Sequence, residues 1–425
     1  MKKLTKITVA CLFLVMATAS VTEAALFRGN ASGDNDWFKI ANWNGPVVPG
    51  VAAGGTGASG QLGNFGNSDY AIIDGNAALY EELNMPGMSV QTQAGDGDET
   101  QRIDIINGAR VNLTGGAMEF AMHAGGNASK VILNISGDSV LDANMSNTKF
   151  LQRQGNANTT GELNLGDATS GGTFRISHGG NSFGHQQGGP QPNAPMVIRG
   201  VGAVEAAGDA NSTMAMFSIK FVADGWGGAA GRVLDLSSWA GNSRDEAGLD
   251  WGFYATNGAE LKMFTVHRNT QYTGVGDKVW HEAHNADVDK INGFGVKNSG
   301  WPAAGVYVSG SVLALDHPDT PGLIDGIGAW KVSGVTMDNT TMSFRYDNNL
   351  AASLGVNETN LKVFMAGVDV TSSVDTANHI IYAEGLAAGD INSSTFAVAL
   401  GIPEPSAIIL LALSVVGLPI RRCRR

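Results

Sequence analysis

The sequence predicts a mainly β protein: a β-solenoid body, parallel β-helix-like, followed by a small C-terminal antiparallel β module. Three observations carry that reading. Glycine supplies 58 of the 425 residues and charged residues only 16%, a mixture suited to short strands joined by tight turns in which Gly and Asn take positive φ angles. The apolar share, 43%, is too high for a disordered chain. An apolar–polar–apolar triplet also recurs at a fixed interval, as a stack of similar rungs requires.

Residues 1–24 have the layout of a signal peptide. Lys2, Lys3 and Lys6 form a positive start, Ile7 to Ala17 an apolar stretch, and Thr22-Glu23-Ala24 places small residues at the usual cleavage positions. Cleavage between Ala24 and Ala25 is expected. Residues 25–70 then carry Trp37 and Trp43 ahead of the Val48-Pro49-Gly50 turn. This layout resembles the opening of many large bacterial surface proteins. Two tryptophans can cover the open end of a strand stack, and that is the role expected here in preference to stacking on a sugar.

The repeat occupies residues 71–290. Ile103-Asp104-Ile105, Leu133-Asn134-Ile135 and Leu163-Asn164-Leu165 follow one another at 30-residue intervals, and Gly108, Gly137 and Gly166 follow them in turn. A rung of that length supplies about three strands and three turns. Alternation sends Ile103, Ile105, Leu133, Ile135, Leu163 and Leu165 inward, and Asp104, Asn134 and Asn164 toward solvent. Later copies are expected at Met196-Val197-Ile198, Leu234-Asp235-Leu236 and Leu261-Lys262-Met263. The alternative is β-sandwich domains with coincidental spacing. The stretch from Phe217 to Val266 is similar to the terminal section of autotransporter-like repeat proteins, a resemblance that brings no catalytic residue with it.

Residues 291–328, with Pro318, Pro321, Gly322, Gly326 and Gly328, read as a linker region. Five β-rich runs between Trp330 and Leu400 are separated by Asn, Asp and Gly clusters and read as a small antiparallel module over 329–400. Residues 403–425 are tripartite. Pro403-Glu404-Pro405 stops a helix entering from upstream, Ala407 to Ile420 is apolar, and Arg421, Arg422, Arg424 and Arg425 hold its end on the cytoplasmic side. Fourteen helical residues reach about 21 Å, short of a comfortable span, which suits a transient tether. This tail resembles the PEP-CTERM sorting signal of Gram-negative bacteria. The resemblance implies processing by an exosortase, export past the inner membrane to the outer surface or medium, and association with exopolysaccharide or biofilm material.

Composition narrows the chemistry. Cys11 and Cys423 both lie in the two terminal segments, so the body has no disulfide, thiolate metal site or thiol nucleophile. Without those segments 20 basic residues face 37 acidic ones, a net of −17; such a body repels nucleic acid and touches the membrane only through its termini. His281-Glu282-Ala283-His284 spaces its histidines three apart instead of the four a zinc peptidase helix needs. Arg175-Ile176-Ser177-His178 and Gly184-His185 show no partnering carboxylate at a recognisable spacing, and no adjacent aspartates occur. The expectation is therefore a non-enzyme without an obligatory cofactor. The alternative is a polysaccharide lyase or hydrolase on a β-helix scaffold, which would need two positioned carboxylates. Asp96, Asp98 and Glu99 cluster in a Gly-rich loop of the kind that suits calcium, as do the pairs Asp34 with Asp36 and Asp287 with Asp289; a solvated acidic loop is the default.

Overall fold

The computed structural model describes residues 25–27, 35–43, 48–49, 60–62, 70–78, 80, 82–92, 100–114, 117–122, 130–144, 147–153, 160–177, 196–206, 213–215, 219–238, 240–242, 251–263, 266–267, 278–280, 290–298 and 307–402. Its architecture is a parallel β-solenoid whose C-terminal end runs into antiparallel sheets.

The first face is an eight-stranded sheet. In order it contains Tyr70–Asp74, Thr100–Ile106, Lys130–Ile135, Thr160–Leu165, Met196–Gly200, Ile219–Asp224, Trp251–Thr256 and Lys290–Ile291, all paired in parallel. Register stacks like on like: Ala71, Ile103, Leu133, Leu163, Ile198, Phe221 and Phe253 form one inward column, fully shielded from solvent. Phe221 and Phe253 continue it as stacked rings with centroids 5.7 Å apart. One strand feeds the next face through a tight corner. At Asn107-Gly108 both residues take positive φ, 58° and 74°, and the Gly108 N–H donates to the Gly137 carbonyl of the following rung at 2.7 Å. This corner thus stacks directly on the next one.

The second face holds Leu83–Met85, Arg110–Leu113, Ser139–Ala143, Gly172–Ile176, Gly202–Ala206, Val233–Asp235 and Glu260–Lys262. The third holds Ala25–Leu26, Gly60–Leu62, Met88–Thr92, Ala117–Met122 and Asn147–Arg153, with Thr213–Ala215 and Ala240–Asn242 as a separate parallel pair.

The six inward positions expected from the first three triplets are all buried. The later copies differ from expectation. Leu163 pairs with Ile198 and Leu165 with Gly200, so the fourth triplet is Ile198-Arg199-Gly200, two residues beyond Met196-Val197-Ile198. An inward glycine has no side chain for an alternation pattern to register. Leu234-Asp235-Leu236 and Leu261-Lys262-Met263 belong to the second face; the first-face copies there are Phe221-Val222-Ala223 and Phe253-Tyr254-Ala255. Asp104 was expected to face solvent but is only 7% exposed, because Tyr70, Arg102 and Asn134 close over it.

At the N-terminal end, Asp36 bridges Ile72 in parallel, and the Trp37 N–H donates to the Ile72 carbonyl at 2.9 Å. Trp37 and Trp43 sit edge to face at 4.6 Å beside Phe27. Both indoles are buried and their N–H groups are satisfied by the Pro49 and Trp37 carbonyls, so neither ring offers a face to a sugar.

Residues 291–328 are not a plain linker. They contain Phe294–Lys297 and Tyr307–Leu313, and the latter pairs antiparallel with Glu260–Lys262, the last second-face strand of the solenoid. The sheet then continues through Gly328–Ser333, Thr395–Ala399, Lys362–Met365 and Val368–Asp369; with Val266–His267, which pairs with Tyr307–Leu313 off this path, it has thirteen strands in all. The proline and glycine cluster lies in the turns between two of these strands, where it punctuates a sheet without separating domains. A second antiparallel sheet comprises Lys278–Trp280, Phe294–Lys297, Thr340–Arg345, Ile380–Leu386 and Ser373–Asp375. It packs on the first through Trp330, Phe344 and Phe396, with ring centroids 5.2 and 4.9 Å apart. Two short helices, Asn348–Ser353 and Ala388–Ser393, complete this end; Asp347 caps the first by accepting the Asn349 and Leu350 N–H groups.

Candidate functional site

The outer surfaces of the first and second faces carry side-chain rows at the spacing of the strands, about 4.8 Å. On the first face Asn164 donates to Asn134 at 2.9 Å and Asn134 donates to Asp104 at 2.6 Å. Arg102 clamps Asp104 with two N–H groups and lies 4.6 Å over the Tyr70 ring, while the Tyr70 hydroxyl donates to Asp104 at 2.6 Å. Burial, then the bond to Asp104 and its negative charge, push the Tyr70 phenol up to about 12 against a smaller opposing pull from Arg102. The acceptors of the ladder are largely used by its own members.

On the second face Arg175 sits between two carboxylates from neighbouring rungs. Its Nε donates to Glu205 at 2.7 Å and an Nη lies 3.7 Å from Asp142. The sequence showed no carboxylate near Arg175 because both partners are about one rung away along the chain. The hydrogen bond to Glu205 is the main reason that the guanidinium pKa rises, burial opposing it.

A concave feature of the second face lies where the solenoid meets the antiparallel strands, with a volume of about 350 Å³. Register explains its composition: Lys262 pairs with Ser311, Ser311 with Lys331, and Lys331 with Thr395. One outward row of the solenoid thus runs into the C-terminal sheet without interruption. Ser237 and Lys262 form one wall, Ser333 and Lys331 the other, and the segment from Asn392 to Thr395 the rim; Met263 and Val332 border it, their side chains buried in the core beneath. Lys331 lies 2.6 Å from Asp319 and 3.6 Å from Glu260, and Lys262 lies 3.6 Å from Asp235. The Ser311 hydroxyl donates to Glu260 at 2.6 Å, and the Ser309 and Ser333 hydroxyls are 2.8 Å apart. Burial lowers the Lys331 pKa, but Asp319 and Glu260 outweigh it and the net shift is upward, so the ammonium stays charged.

A third constellation lies in the C-terminal sheets. Glu358 accepts from the Tyr346 hydroxyl at 2.5 Å and pairs with His379 Nδ1 at 2.9 Å, and His379 Nε2 lies 3.2 Å from Asn348 Nδ2. Burial raises the Glu358 pKa, but these two partners more than offset it and hold the carboxylate below its usual range. The Tyr346 phenol is raised, chiefly by burial. Tyr346 is 1% exposed, so the group braces the turn at His379, whose φ is +54°.

Of the residues singled out in the sequence, Asp96, Asp98 and Glu99, both histidines of the His281–His284 motif, Asp287 and Asp289, Ala24, and the whole tail with Pro403, Glu404, Pro405 and its four arginines lie outside the described residues. Ala25 opens a strand. Among the described residues no cluster of His, Cys, Asp and Glu is arranged for a metal, and no helix is long and apolar enough to cross a membrane. The groove was missed because its walls come from segments far apart in sequence; the alternations Ser309-Gly310-Ser311 and Lys331-Val332-Ser333 were its only local signs. No protein-family model, curated protein or solved structure matches the chain.

Proposed function

We propose that this chain is an exported surface or extracellular-matrix protein with a structural or adhesive role, associated with exopolysaccharide. It is exported by signal peptidase processing at Ala24–Ala25, tethered briefly at the inner membrane, and released by an exosortase acting on the tail. The observation that carries this reading is the order Pro403-Glu404-Pro405, apolar stretch, arginine cluster. The body supports it: a cysteine-free solenoid with self-satisfied polar ladders presents a rigid scaffold, and its acidic balance favours solubility outside the cell.

The experiment is deletion of residues 403–425 in a host that carries an exosortase. Loss of surface sorting with export intact is the expected result, and unchanged surface location refutes the tail's role. One observation favours the enzyme alternative. Asp142 and Glu205 flank Arg175 two rungs apart, about 9.6 Å along the stack, near the separation of an inverting carboxylate pair. Arg175 occupies the space between them and pairs with both, which favours the structural role.

A further inference from the structure

We propose that the groove at the junction of the solenoid and the antiparallel strands binds neutral, hydroxyl-rich sugars in preference to acidic ones. The inference rests on the reading above, that polysaccharide surrounds this protein, and names the class of sugar and the place. A volume of about 350 Å³ lies within the range of small-molecule sites. Residues bearing a hydroxyl, an amide or a charge make up most of its lining, so a ligand entering it displaces water from several polar groups at once. A polyol does this and an apolar molecule does not.

Charge decides between sugar classes. Two ammonium groups, Lys262 and Lys331, face three carboxylates, Asp235, Glu260 and Asp319, each within 3.6 Å of one of them. Neither cation lacks a counter-ion: Glu260 lines the groove with them, Asp235 and Asp319 stand beside it, and with these partners the set sums to −1 on a chain of net −12. A uronic acid or sulfated sugar would bring another negative charge to a site whose positive charges are engaged. A neutral sugar meets only benefits: a paired carboxylate keeps lone pairs for sugar hydroxyls, and a paired ammonium keeps N–H donors for sugar oxygens, both as charge-assisted bonds.

The test is calorimetric titration of the full chain with neutral gluco-, galacto- and manno-hexasaccharides and with a galacturonic acid hexasaccharide. At least one neutral hexamer is expected to bind, with the acidic one at least tenfold weaker. Ser333→Leu, which fills the groove from an exposed strand position, should weaken neutral binding at least tenfold. Ser237→Leu on the opposite wall reads the same groove should the first variant melt differently from the parent. Asn112→Ala, on the same face but outside the groove, should leave binding unchanged. Equal or tighter binding of the acidic hexamer, no neutral hexamer bound, or parental affinity in a normally melting leucine variant overturns the proposal. Those results leave the sorting of the protein untouched, whereas surface delivery without the tail would sink the export reading alone.

Discussion

Gly200 is among the least forgiving positions of the described stack. It ends a first-face strand and opens the two-bond corner Gly200-Val201-Gly202 to the second face. Its φ is +120°, and a Cβ there would stand 1.9 Å from the Leu165 carbonyl oxygen of the preceding rung. That oxygen is also the acceptor of the Val201 N–H, at 2.9 Å, and of the Trp226 indole N–H, at 3.0 Å. Gly200→Ala therefore imposes backbone strain of about 1–3 kcal/mol and displaces an acceptor of two hydrogen bonds worth about 1 kcal/mol each. A total loss of about 3–5 kcal/mol is expected. Gly231→Ala is the control: its φ is +83°, but nothing lies within 4 Å of the added carbon, so it carries the dihedral cost without the clash. Guanidinium unfolding followed by circular dichroism, with the slope checked for a broken transition, measures both. A Gly200→Ala loss no larger than that of Gly231→Ala would refute the claim that contact between rungs fixes this corner.

Leu133→Ala, between Ile103 and Leu163 in the inward column, should cost about 2–5 kcal/mol in the same assay; less than about 1 kcal/mol would mean the column is not close-packed. Asp224 gives a pH dependence. Burial raises its pKa, but bonds from Asn257, the Trp226 N–H and Arg199 overcome this and hold it below the usual range. A carboxylate depressed in the folded state stabilises fully above its unfolded pKa, about 4, and loses that contribution as pH falls through the folded value. Asp224→Asn should thus be less stable than the parent at pH 7, with the gap closing on acidification below pH 4. A gap that stays constant with pH would contradict the assignment.

The first three rungs were legible because their inward positions are bulky and their spacing constant: a residue such as Leu163 announces its side of the strand. Legibility fails at Gly200, where the inward position carries no side chain, and from Leu234 onward, where an equally good triplet belongs to a different face. One-dimensional alternation reports that a strand has an inside but not which face of the solenoid it joins. The C-terminal strands were visible as β-rich runs, yet the pairing of Tyr307–Leu313 with Glu260–Lys262 was hidden, since Pro318 and Pro321 look alike in a turn and in a linker. The groove is a product of that pairing, so the Ser309-Gly310-Ser311 and Lys331-Val332-Ser333 alternations did not disclose it by themselves. The Arg175 partners were missed for a related reason: contacts one rung away are about 30 residues away in sequence.

The claim that the body is a polysaccharide-associated scaffold without turnover is tested most directly by incubating the full chain with a panel of neutral and acidic polysaccharides and quantifying two signals in the same samples. One is polymer retained with the protein; the other is new reducing or unsaturated ends. Retention with no new ends above the protein-free control is the predicted result. New ends that accumulate with time and protein concentration, and that disappear in Asp142→Asn or Glu205→Gln, would contradict it and make the carboxylates beside Arg175 an active site.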